Sequence, residues 1–102
     1  MSLRFVIIGG GPAGTQAATS AARLGADVTL IERDIVGGAE HLWDCVPSKA
    51  MIATGGRLDT IEDSNGMGLR VTDASVDLEA VRERIARITD RLEHHNRTLL
   101  ES

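Results

Sequence analysis

The sequence predicts an α/β fold built on a parallel β-α-β unit, and three observations predict it. A short apolar, β-branched run from Leu3 to Ile8 is broken by the glycine-rich turn Gly9-Gly10-Gly11-Pro12-Ala13-Gly14. The turn opens an alanine-rich segment, Ala13 to Leu24, that suits a helix. A second apolar run, Asp27 to Glu32, follows and ends in an acid. Continuous apolar runs of this length mark strands buried on both faces, as in parallel sheets. A right-handed crossover through the helix joins two such strands.

Each element has a local reason. Ala17, Ala18, Ala21 and Ala22 offer a small-residue face for close packing, and Gly25 is a natural stop for the helix. After Gly37-Gly38, Leu42 to Arg57 reads as a helix whose Pro47 must sit near its beginning or kink it. Asp59 to Met67 is polar and contains Gly66, so a loop is expected. Gly68 to Thr72 is expected to form a short strand. Beyond it, Leu78, Val81, Ile85, Ile88, Leu92 and Leu99 recur in three- and four-residue steps, with His95 in the gap. That spacing predicts a helix of about 24 residues with a narrow apolar seam, capped by Asp77. Glu83 with Arg87 and Glu93 with Arg97 lie four apart, the spacing of helical ion pairs.

Composition narrows the function. With 102 residues there is room for one small domain. A net charge of −4 opposes a nucleic-acid binder, which is normally basic. The single cysteine excludes an intrachain disulfide and favours a reducing, cytoplasmic setting. No stretch approaches the roughly 18 apolar residues of a membrane span.

The chemistry is concentrated in the first third. Gly9-x-Gly11-x-x-Gly14 follows a strand and opens a helix, the context in which this spacing signifies dinucleotide binding. Gly9 allows the tight turn, Gly11 lets backbone approach a pyrophosphate, and Gly14 lets helix and strand pack closely. The helix start then offers unpaired N–H groups and a positive dipole to phosphates. Glu32, 18 residues beyond Gly14, stands where a carboxylate accepts hydrogen bonds from ribose hydroxyls. These residues predict a site for an adenosine diphosphate moiety without choosing between NAD and FAD.

A second motif makes that choice by resemblance. The glycine turn, then Gly37-Gly38, then Cys45-Val46-Pro47-Ser48-Lys49, together resemble the FAD domain of the flavoprotein disulfide reductases. That family includes lipoamide dehydrogenase, glutathione reductase and mercuric reductase. The resemblance implies a Rossmann-like FAD-binding fold, with residues 1–102 as its N-terminal part. It also implies an NAD(P)H donor, and NAD(P) and dimerisation domains of a homodimer lying outside this chain. Carried over by position, Gly9, Gly11, Pro12, Ala13 and Gly14 contact the FAD pyrophosphate, and Glu32 with Arg33 holds the adenosine end. Gly38 and Ala39 meet the phosphates again, although the family usually has Thr where Ala39 stands. Cys45 matches the flavin-proximal cysteine and Lys49 the lysine near the reactive edge of the flavin. No metal ligands are implied.

Glu40 departs from the pattern, because the family carries its second redox cysteine there. The expectation is therefore electron transfer from flavin directly to an acceptor, as in the NAD(P)H:quinone reductase subgroup that keeps one cysteine. Two alternatives stand beside it: a lipoamide dehydrogenase-type disulfide reductase, which Glu40 opposes, and a non-catalytic nucleotide-binding or assembly module. Two roles are open to Cys45, a thiolate donating charge to oxidised flavin or an inert thiol packed on the ring. Lys49 is expected to stabilise negative charge on reduced flavin. Glu40 and Asp44 are expected to complement a helix start. His41 and Trp43 are expected as solvated loop residues, and His94 and His95 as ordinary residues of the last helix.

Overall fold

In the computed structural model, which describes residues 1–102, the first apolar run becomes strand β1 (Arg4–Ile8). It is followed by helix α1 (Pro12–Arg23) and strand β2 (Asp27–Ile31). The strands pair in parallel, with Arg4 opposite Asp27 and Ile8 opposite Ile31. Further backbone bonds extend the pairing at both ends, Asp27 N–H to Leu3 C=O at 2.8 Å and Gly9 N–H to Ile31 C=O at 2.8 Å. Helix α1 lies on one face of this sheet, where Ala18 is buried. The small alanine side chain lets the helix backbone come close. The opposite face is open, with Val6, Ile8 and Ile31 exposed.

The rest of the chain is helical. A single turn, α2 (Ala39–Leu42), leads into α3 (Cys45–Ser64), a 3-10 turn (Asn65–Met67) and the long α4 (Leu78–Glu101). Because α3 begins at Cys45, Pro47 falls in its first turn, where its lost donor is harmless, and the first of the two expected alternatives holds. Asp77 caps α4, its Oδ1 accepting from the Ala80 N–H at 3.0 Å. The expected ion pairs form, Glu83–Arg87 at 3.7 Å and Glu93–Arg97 at 2.8 Å, and Glu79–Arg82 adds a third at 3.4 Å. Arg84 and Thr89 tie α4 to its neighbours by donating to the carbonyls of Ala50 and His41, at 3.5 and 3.3 Å.

Only six of 102 residues are buried, and the radius of gyration is 19.8 Å, against about 13 Å for a compact domain of this size. The chain therefore leaves many of its large apolar side chains exposed.

The structure corrects four expectations. The helix expected from Leu42 to Arg57 starts at Cys45 and runs on to Ser64, so Asp59–Ser64 is helix rather than loop. Polarity alone does not end a helix. Thr54, Leu58 and Ile61 continue an apolar edge facing Ala80, Val81 and Arg84 of α4. The stop comes at Asn65–Met67, and Gly68 takes the left-handed conformation at φ 85°. No strand forms at Gly68–Thr72, because no neighbouring strand is there to pair with it. The seam of α4 runs through Val81, Ile85, Ile88, Leu92, Asn96 and Leu100, whereas Leu78, His95 and Leu99 are exposed. Four-residue steps at the end follow the 3.6-residue helix rather than a narrower coiled-coil seam. Lastly, His41 is buried within α2 instead of lying in a solvated loop, while Trp43 is exposed as expected.

Candidate functional site

The turn between β1 and α1 is shaped by its glycines. Gly9 has φ 105°, a left-handed value that side chains disfavour. A Cβ on Gly14 would overlap the Gly9 carbonyl, so the helix can start only where a glycine lets it approach. Beside Gly11, by contrast, the space where a side chain would point is empty to 4 Å. Gly11 is the N-cap of α1, with Pro12 in the first helical turn, no capping side chain and no acidic residue there. The positive end of the helix is thus left uncompensated beside open space, a disposition that suits an anion.

A second loop closes over this turn. The Gly37 N–H donates to the Gly10 carbonyl at 2.7 Å, and a Cβ on Gly38 would lie 3.2 Å from the Gly11 Cα. Gly37 and Gly38 have φ values of 121° and 61°. Beneath Gly37 lies the His41 imidazole, which fills the position a Cβ on Gly37 would need. The His41 ring is buried, and its Nδ1 has no hydrogen-bond partner. Nothing in the sequence around His41 signalled that burial.

Glu32 sits just past β2 and is braced by backbone. Its Oε2 accepts from the Gly10 N–H at 2.6 Å and its Oε1 from the Asp34 N–H at 2.9 Å. The N–H groups of Asp34 and then Gly10 hold its carboxyl below the usual carboxylate value. An ionised carboxylate has about four acceptor positions, so two remain for other donors. Arg33, expected to hold the adenosine end with Glu32, is exposed to solvent and pairs with Asp34 at 3.7 Å.

The structure therefore brings Gly9, Gly11, Pro12, Ala13, Gly14, Glu32 and Gly38 into one region. It also recruits Gly10, which the motif spacing passed over although a Cβ there would sit 3.0 Å from the Glu32 Cβ. Ala39 is the exposed first residue of α2. Cys45 and Lys49 lie apart from the turn, both exposed on the first two turns of α3, on one face by their four-residue spacing. No hydrogen bond joins either side chain to the glycine turn. Asp44 is the N-cap of α3 without a side-chain cap bond, and Glu40 lies in the first turn of α2.

This arrangement fits an adenosine diphosphate group. An uncapped helix start and a glycine surface open to approach match a pyrophosphate, and a pre-ionised carboxylate matches a ribose diol.

The chain is similar to known proteins over nearly its whole length. Residues 3–101 match the family model described as pyridine nucleotide-disulphide oxidoreductase. A dihydrolipoyl dehydrogenase of Bacillus subtilis is 38% identical over 87 residues, 85% of this chain and 18% of that protein. An NAD(P)H dehydrogenase (quinone) of Mycobacterium tuberculosis is 40% identical over 90 residues, 83% of this chain and 18% of that protein. The crystal structure of LpdA from Mycobacterium tuberculosis superimposes with a TM-score of 0.83 at 32% identity, covering 96% of this chain and 21% of that one. The chain thus spans a fifth or less of the length of the curated relatives it matches.

Proposed function

The chain belongs to the pyridine nucleotide-disulphide oxidoreductase family, and we propose that it is the FAD-binding portion of an NAD(P)H-dependent flavin oxidoreductase that reduces quinones directly. The observation that carries this reading is the lone thiol. Cys45 is the only cysteine, free and exposed at the start of α3, and Glu40 stands five residues before it. No dithiol is available within the chain to relay electrons to a disulfide substrate.

Gly9, Gly11, Pro12, Ala13 and Gly14 hold the pyrophosphate, with Gly38 and Ala39 on its other side, while Glu32 takes the ribose. When bound, flavin would supply two-electron chemistry between NAD(P)H and a quinone, the quinol's second proton coming from solvent. Lys49 would place a positive charge beside bound flavin, and Cys45 would set a polarisable sulfur against it. The full-length protein is read as a cytoplasmic homodimer, with the nicotinamide site outside these residues. No helix here is long and apolar enough to cross a membrane.

A second reading, disulfide reduction, is favoured by the dihydrolipoyl dehydrogenases among the relatives and opposed by Glu40. Turnover of the holoenzyme with NADH or NADPH separates the two. Quinone reduction at least about a hundredfold above lipoamide reduction is expected, a difference of some 2.7 kcal/mol in transition-state stabilisation. Lipoamide turnover equal to quinone turnover would overturn the proposal.

A further inference from the structure

Gly10 is gripped on both sides of its peptide backbone. Its N–H donates to Glu32 Oε2 at 2.6 Å, and its carbonyl accepts from the Gly37 N–H at 2.7 Å. It is buried, and a Cβ would crowd the Glu32 side chain. Glu32 is held in turn by the Asp34 N–H at 2.9 Å, so its carboxylate is oriented without any ligand. Gly10 immediately precedes Gly11, the N-cap of the helix that faces the open anion space. The Gly10 carbonyl shares a peptide plane with the Gly11 N–H, so Gly37 fixes that plane while Glu32 fixes the preceding Gly9–Gly10 plane, and the two bonds together hold the turn.

We infer that Glu32 is a positioning residue for the phosphate turn, holding the backbone that faces a pyrophosphate through the Gly10 N–H, apart from any contact with ribose. The inference rests on the reading of Gly9–Gly14 as the phosphate site. Two effects of removing the carboxylate have opposite signs. Loss of a negative charge near the turn relieves repulsion of a phosphate and raises its affinity. Loss of the bond to Gly10 frees the turn and lowers affinity, because the order must then be supplied on binding. The short, charge-assisted bond makes the second effect the larger.

The test uses a ligand without ribose. Affinities of the intact apoprotein for FAD and for inorganic pyrophosphate are measured by calorimetry in the native protein, in Glu32→Ala, which removes the acceptor, and in Glu32→Asp. The aspartate keeps the charge but loses the reach to Gly10, separating geometry from electrostatics. Pyrophosphate affinity is expected to fall about tenfold in both variants, the scale of one charged hydrogen bond. Hydrogen exchange at the Gly10 amide should accelerate with it. Pyrophosphate affinity that is unchanged or raised while FAD affinity falls would make Glu32 a ribose ligand only and overturn the inference. Native protein that binds neither FAD nor pyrophosphate would overturn the phosphate-site reading itself, a distinguishable failure. Should both variants unfold, exchange in the native protein decides. Corrected for intrinsic rate, Gly10 protection lost on acidification before that of Gly9, which donates to Ile31, supports the inference. Simultaneous loss contradicts it.

Discussion

Residues 4–38 and residues 45–101 are held together by different forces. In the first region, segments distant in the chain are joined through backbone: the β1–β2 ladder, Gly9 to Ile31, Gly37 to Gly10, and Gly10 to the Glu32 side chain. In the second, α3 and α4 satisfy their backbones internally and meet through isolated side-chain contacts such as Arg84 to Ala50. The turn region tolerates little change because a backbone atom cannot move aside as a flexible side chain can. The helical region should absorb substitutions in small increments. A binding site needs the first kind of construction, since phosphate recognition depends on fixed N–H directions.

The contrast can be broken by substitution. Gly14→Ala has the largest expected effect, because its Cβ meets the Gly9 carbonyl at the centre of the turn. A loss of about 3 kcal/mol in urea unfolding is expected, at the upper end for overpacking. Gly37→Ala follows at about 2 kcal/mol, combining a strained positive φ with overlap on the His41 ring. His41→Leu should act in the opposite direction, raising stability by about 1 kcal/mol through removal of an unpartnered buried nitrogen. If both glycine variants unfold at the native midpoint, the rigid-turn account fails.

In the helical region the effects shrink. Asp77→Ala removes the α4 cap and should cost about 1 kcal/mol by thermal unfolding. Glu93→Ala removes a surface pair with Arg97 and should change stability least of all, read as the smallest shift in thermal midpoint. A result in which Glu93→Ala outweighs Gly14→Ala would invert the comparison.

Acidity sharpens it further. The folded-state pKa of Glu32 is depressed, so its contribution is fully present above its unfolded value of about 4.3 and is lost as pH falls through the lower folded value. Urea midpoints of the native chain and Glu32→Gln, followed downward from pH 6, should converge in that acid window. A gap that persists unchanged to the lowest pH would contradict the bracing of Glu32 by backbone.

The same contrast explains what was legible in the sequence. The β-α-β unit could be read because its determinants are local: apolar runs, Gly9 and Gly14, Gly25, and Glu32 at a fixed interval. Helix α4 could be read because Asp77 and the apolar recurrence mark it. The end of α3 was missed because Asp59–Ser64 looks polar, although Leu58 and Ile61 still face α4. The strand expected at Gly68–Thr72 failed for lack of a neighbour, which no local pattern reveals. Within the site, the roles of Gly10 and His41 carry no local signal. Their importance comes from Glu32 and Gly37, residues brought against them only by folding. Cys45 and Lys49 were legible as a motif, while their exposure on α3 required the structure.

Calorimetric titration of the intact apoprotein with FAD tests the central claim most directly. One FAD bound per chain, with binding abolished by a bulky residue at Gly11 where a side chain meets open space, is the predicted result. FAD binding that survives Gly11→Val unchanged, or no binding by the native protein, would contradict the account.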